Sequence, residues 1–103
     1  MQDVEIGKEI HKEIVSQGLL KDNVVLGNAL IDMYAKCGAL LKAQKAFDTL
    51  PVRDVVSWNA LIAGYAQQGQ GQEALGCFQR MRSEGFTPTA ITYVEYLREV
   101  CAV

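Results

Sequence analysis

One histidine and two prolines are all that this 103-residue chain holds of either residue. His11, alone, leaves no imidazole pair for a metal and no base beside a nucleophile, and it is expected on the surface of a helix. The three cysteines, Cys37, Cys77 and Cys101, form no CxxC pair and leave an odd thiol, which fits a reducing compartment and small buried apolar roles rather than a disulfide scaffold. Charge of one sign is missing too: ten basic against twelve acidic residues give a net charge of -2, no footprint for strong nonspecific attraction to nucleic acid or an anionic membrane. No run of about 18 apolar residues suggests a membrane span. The opening "MQDVEIGKEIHKEI" is too charged for a secretory signal, so the chain is expected to be soluble, and either processed or cut from something longer. Its glycines, Gly64, Gly69, Gly71 and Gly76 among them, match neither GxGxxG nor GxxxxGK[ST], which excludes the common phosphate-binding loops.

What is present is apolar residue, half of the total, and a repetition. Shifted against itself by 31 residues, the sequence pairs Val24 with Val55, Val25 with Val56, Asn28 with Asn59, Ala29 with Ala60, Leu30 with Leu61 and Ile31 with Ile62. The register continues through Tyr34 and Tyr65, Ala35 and Ala66, Gly38 and Gly69, Ala43 and Ala74, Phe47 and Phe78. A period in this range is the signature of a solenoid or a similar array.

Within each copy the apolar positions recur at helical spacing: Leu30, Ile31, Tyr34 and Ala35, then Ala43, Ala46, Phe47 and Leu50. Each unit therefore holds two helices. Gly38 and Gly69 stand where the first should stop, because glycine accepts the left-handed turn that closes a helix. Pro51 and Pro88 are expected to punctuate the second. Glu5 to Gly18 carries Ile6, Ile10, Ile14 and Val15 on one stripe and reads as a second helix without its first. Tyr93, Tyr96, Leu97, Val100 and Cys101 lie along an opening helix without its second. Six helices are expected, at 4–17, 25–37, 40–50, 56–68, 71–84 and 90–102, giving an all-α solenoid of antiparallel hairpins. Trp58, Tyr34, Tyr65, Phe47 and Phe78 are assigned to its core. The end helices would each leave an apolar face uncovered, to be met by a cap, a partner copy or more chain.

The spacing of Trp58, Leu61 and Tyr65, followed by Ala74, Phe78 and Pro88, partly matches a tetratricopeptide repeat, although Ile62 stands where that repeat has glycine. The fuller match is different. "GNALIDMYAKCG" and "DVVSWNALIAGYAQQGQGQEALGCFQRMRSEGFTP" resemble pentatricopeptide repeats, specifically the plant PLS subclass, whose units alternate in length. In that frame 24–54 resembles a short S unit and 55–89 a P unit. Residues 1–23 are similar to the second half of an L unit, and 90–103 to the first half of the next. The resemblance implies a right-handed superhelix like that of tetratricopeptide proteins.

It also implies a chemistry. The family binds single-stranded RNA one base per repeat, through side chains on the concave face. The positions that select the base are the fifth of a unit and its last, which here are Asn28 with Asp54 and Asn59 with Thr89. An amide offers a base edge both a donor and an acceptor. The first pair is similar to the family's uracil-preferring combination; Thr89 departs from the usual asparagine or aspartate, so the second implies only a pyrimidine. Val25 and Val56 fall where the family sandwiches a base between apolar side chains, although packing would account for them equally. Val94, in the third unit, has no group to read a base with. Asn23, Asp54 and Thr89 also precede helices and suit N-caps whatever the function. Lys36, Lys42 and Lys45 are read as a solvated face rather than phosphate contacts.

The PLS family often carries a cytidine deaminase domain, whose zinc chemistry needs HxE and a CxxC pair; neither occurs here, and no enzyme, metal or cofactor is expected. The family setting would be a mitochondrion or chloroplast. A rival reading is a protein-interaction scaffold, or self-association through the uncovered end helices.

Overall fold

The computed structural model describes residues 3–100. Six α-helices follow one another there: α1 (Val4–Ser16), α2 (Val24–Lys36), α3 (Leu40–Thr49), α4 (Val55–Gln67), α5 (Gly71–Ser83) and α6 (Ala90–Val100). Every expected helix is found, each described end within one residue of its expected place; Cys101 and the end expected for α6 lie outside the described residues.

The helix ends have separate local causes. Gly38 and Gly69 take φ of 74° and 75°, and the residue after each returns a backbone bond across the turn, Ala39 N–H to the Tyr34 carbonyl and Gln70 N–H to that of Tyr65, both at 2.9 Å. This is the glycine closure expected there. The second helices end differently from one another. α3 stops at Leu50, whose extended backbone is what a following proline imposes. α5 is closed instead by Gly85 at φ 91°, with Phe86 N–H bonded to the Met81 carbonyl, so Pro88 comes too late to be the stop.

The hairpins α2/α3 and α4/α5 stack so that α2, α4 and α6 lie side by side in one layer. Among the described residues the backbones of α1, α3 and α5 do not approach one another, and side chains span the gap between α3 and α5. Arg80 of α5, for example, reaches Asp48 of α3 at 3.2 Å. The whole measures 39 × 33 × 18 Å, and its thin dimension is about two helix diameters. An all-α solenoid of antiparallel hairpins is the result.

The core runs between the layers. Trp58 and Phe47 are fully buried and meet edge to face, centroids 4.5 Å apart, with the Arg53 guanidinium 4.8 Å from the Phe47 centroid. Tyr34 and Tyr65 are buried as expected, while Phe78 is half-buried, its ring 5.4 Å from that of Tyr93. Cys77 is buried, but Cys37 is only half-buried because it caps the exposed end of α2. At α1 only Ile14 of the expected stripe is covered; Ile6, Ile10 and Val15 remain more than half exposed, since only α2 packs against this helix. Ile91, Val94 and Leu97 of α6 are likewise exposed.

Candidate nucleic-acid interface

Asn28 and Asn59 are each the fifth residue of their helix, α2 and α4. Since those helices lie side by side in the same register, both amides open on one groove of about 590 Å³, whose rim carries Val25 and Val56. These valines are 74% and 56% exposed, so the packing alternative does not describe them. Asn28 is half-buried; Asn59 retains only 9% of its exposure.

Asp54 and Thr89 stand behind the groove rather than in it. Both are helix caps, as is Asn23, whose side chain accepts the Leu26 N–H at 3.0 Å. Asp54 accepts the Ser57 N–H at 3.0 Å while the Ser57 hydroxyl accepts the Asp54 N–H at 3.1 Å, a reciprocal capping box. The same pair recurs one unit on: Thr89 N–H donates to the Thr92 hydroxyl at 3.1 Å, and the Thr92 N–H reaches back to the Thr89 hydroxyl at 3.5 Å.

These caps are wired to the amides. Asn28 Nδ2 donates to Asp54 Oδ1 at 3.1 Å, and the Ser57 hydroxyl donates to Asn28 Oδ1. In the next layer the Thr92 hydroxyl donates to Asn59 Oδ1. Each paired residue foreseen at the fifth and last positions is thus in the same cluster, directly in the first layer and through Thr92 in the second. Ser57 and Thr92 were not foreseen. Their signal was a hydroxyl at the third position of α4 and of α6, 35 residues apart.

Burial by itself pushes the Asp54 carboxyl up, but the hydrogen bonds it accepts from the Ser57 N–H, the Asn28 amide, the Ser57 hydroxyl and the Val56 N–H outweigh it and hold the group below the usual carboxylate range. The cluster therefore keeps a fixed anion at neutral pH. In the groove proper, Lys36 pairs with Asp32 at 2.8 Å, and that hydrogen bond, with the charge of Asp32, pushes the lysine up. The groove is close to neutral, which suits reading of bases more than capture of phosphates.

Four other lysines lie away from this groove. Lys42 and Lys45 are exposed, as expected, and with Lys8, Lys12 and His11 they border a cavity of about 310 Å³ between α1 and α3. His11 is a correction: rather than a plain surface residue it is half-buried, its Nδ1 2.8 Å from the Tyr34 hydroxyl, and burial pushes its pKa down. It docks there because α1 lies directly over α2. No group of three or more metal-ligating side chains occurs among the described residues.

The pattern of the PPR repeat family matches residues 53–102, and that of the PPR repeat matches residues 28–55. The chain belongs to the pentatricopeptide repeat family. Among its Arabidopsis thaliana relatives, pentatricopeptide repeat-containing protein At4g39530 is 46% identical over 94 residues, 91% of this chain and 11% of the relative. Another, named At3g53360, mitochondrial, is 44% identical over 97 residues, 94% of this chain and 12% of that protein. A third, named DOT4, chloroplastic, is 46% identical over 91 residues, 88% of this chain and 10% of the relative. The chain thus spans about a tenth of the length of these pentatricopeptide proteins, which include both mitochondrial and chloroplastic members.

Proposed function

We propose that this chain is a single-stranded RNA-binding segment of a PLS-type pentatricopeptide protein that acts in mitochondria or chloroplasts on transcript editing, processing or stability. Asn28 with Asp54 reads one base, uracil, and Asn59 with Thr89 reads the next, a pyrimidine. Val25 and Val56 hold the base faces. The units are 24–54 and 55–89, of S and P type, between partial L units at 1–23 and 90–103. Their lengths of 31 and 35 residues support the subclass.

The observation that carries this reading is the pair of equivalent amides, one per layer, opening on a groove rimmed by exposed valines. Apolar side chains in such a place have no packing partner, and a flat base face would supply one. Two complete units make few contacts, and association costs at least roughly 4 kcal/mol, so binding is expected to be weak. Titration of the chain with short oligonucleotides at low salt tests it. Preference for uridine-containing over purine-only strands supports the reading; equal affinity for all, or none, rejects it.

The exposed Ile6, Ile10 and Val15 on α1 favour a second reading, self-association or protein contact through the end helices. Concentration-dependent, salt-insensitive oligomers by light scattering, without RNA binding, would decide for it.

A further inference from the structure

We infer that Ser57 is a positioning residue for base reading, belonging to the unit that follows the asparagine it orients, and that its counterpart Thr92 contacts Asn59 without fixing its direction, so that only the first layer has a fixed hydrogen-bond polarity. The inference rests on the reading of Asn28 and Asn59 as base readers.

Consider the Asn28 amide. Its Nδ2 faces Asp54 Oδ1 at 3.1 Å and its Oδ1 faces the Ser57 hydroxyl. A carboxylate held in its charged form only accepts, so exchanging the oxygen and nitrogen of the amide would set oxygen against oxygen. The Ser57 hydroxyl, having accepted the Asp54 N–H, points its single proton between Asn28 Oδ1, the nearer acceptor, and Asp54 Oδ1 at 3.1 Å, and so closes the ring of bonds. One N–H and one lone pair of the amide remain, in an order that cannot be reversed. That order matters because the Watson–Crick edges of uracil and cytosine present acceptor and donor in opposite sequence.

The second layer has the same positions but no anion. Asn59 Oδ1 meets the Thr92 hydroxyl, which is 3.3 Å from the Thr89 hydroxyl, and either hydroxyl can be the donor. The chain of bonds can run from Thr89 through Thr92 to Asn59, or, with the amide turned over, from Asn59 through Thr92 to Thr89. Both directions satisfy every group. Asn59 therefore accepts uracil or cytosine, whereas Asn28 discriminates between them.

The consequence is that a unit's base preference is set by its own last residue, Asp54 in the first layer, and steadied by a hydroxyl of its neighbour, Ser57. Side-chain amide NMR on the unmodified protein tests the lock without RNA: the Asn28 amide protons should rotate and exchange more slowly than those of Asn59, and equal behaviour would overturn the proposal. Oligonucleotide titration tests its consequence. The first layer should prefer uridine over cytidine by about fivefold or more, the range of one good base contact. Ser57→Ala should bring that ratio toward one, and Ser57→Thr, which keeps the hydroxyl, should restore it. Thr92→Ala should leave the ratio in the second layer near one. An undiminished preference in Ser57→Ala overturns the positioning role alone; no RNA binding by the unmodified chain overturns base reading, and this inference with it.

Discussion

A β-carbon placed on Gly64 would come within 2.8 Å of the Ala35 β-carbon, where α4 crosses α2. The two helices approach so closely because both residues are small, and this crossing sets the separation of the layers that carry Asn28 and Asn59. Gly64→Ala would gain about 1 kcal/mol of helix propensity but lose about 1–3 kcal/mol to overpacking, since a β-carbon, unlike a long side chain, has no rotamer to move into. We expect a lower midpoint in urea. Gly76, in mid-α5 with nothing within 4 Å of an added β-carbon, is the control: Gly76→Ala should raise stability by about 0.5–1 kcal/mol.

Asp54 makes the fold sensitive to acid. Its carboxyl is held below the ordinary value of 3.8, so its contribution is fully present above that value and is lost as pH falls through the depressed folded one. Thermal melts between pH 5 and pH 2 should show a fall that is shallower in Asp54→Asn, which keeps a capping oxygen but has no proton to take up. Asp54→Ala at pH 7 should cost about 1 kcal/mol through the lost cap.

Cys77 is the least reactive thiol expected of the described chain. Burial pushes it up to about 11 despite the nearby Arg80, so at pH 8 only about one in a thousand would be thiolate. Alkylation followed by peptide mass analysis should find Cys77 unmodified in the native protein and readily modified in urea. The same shift has a stability sign: a folded value raised above the unfolded one contributes below about pH 9 and is lost as pH rises toward 11.

Most of the architecture was legible because it is written locally. The 31-residue register and the apolar spacing around Tyr34, Phe47 and their copies fix helix type and pairing, and Gly38 and Gly69 mark their own turns. Gly85 was passed over because Pro88, three residues on, is the stronger punctuation by residue type, yet only a residue at the helix end itself can close it. Ile6, Ile10 and Val15 illustrate another limit: periodicity reports which side of a helix is apolar, not whether a neighbour is there to cover it. In the candidate site, the amides and caps were legible as single residues. The bonds joining Asn28 to Ser57 and Asn59 to Thr92 were not, because they cross from unit to unit and depend on how closely α2, α4 and α6 are stacked.

That stacking separates two kinds of contribution to RNA binding, and substitution can tell them apart. Val56 is on the rim, 56% exposed, and offers only apolar contact. Val56→Ala should weaken binding by roughly 1 kcal/mol for every base, because a stacking surface does not distinguish base edges. Asn28→Ala removes the hydrogen-bonding group and should reduce affinity by about 1–3 kcal/mol for the preferred base with little change for the others. If both substitutions gave the same uniform loss, the amide would be acting as packing and the groove would bind without reading. If Asn28→Ala alone narrowed the spread between oligonucleotides while Val56→Ala lowered all affinities together, the division between amide and valine drawn from the groove would hold.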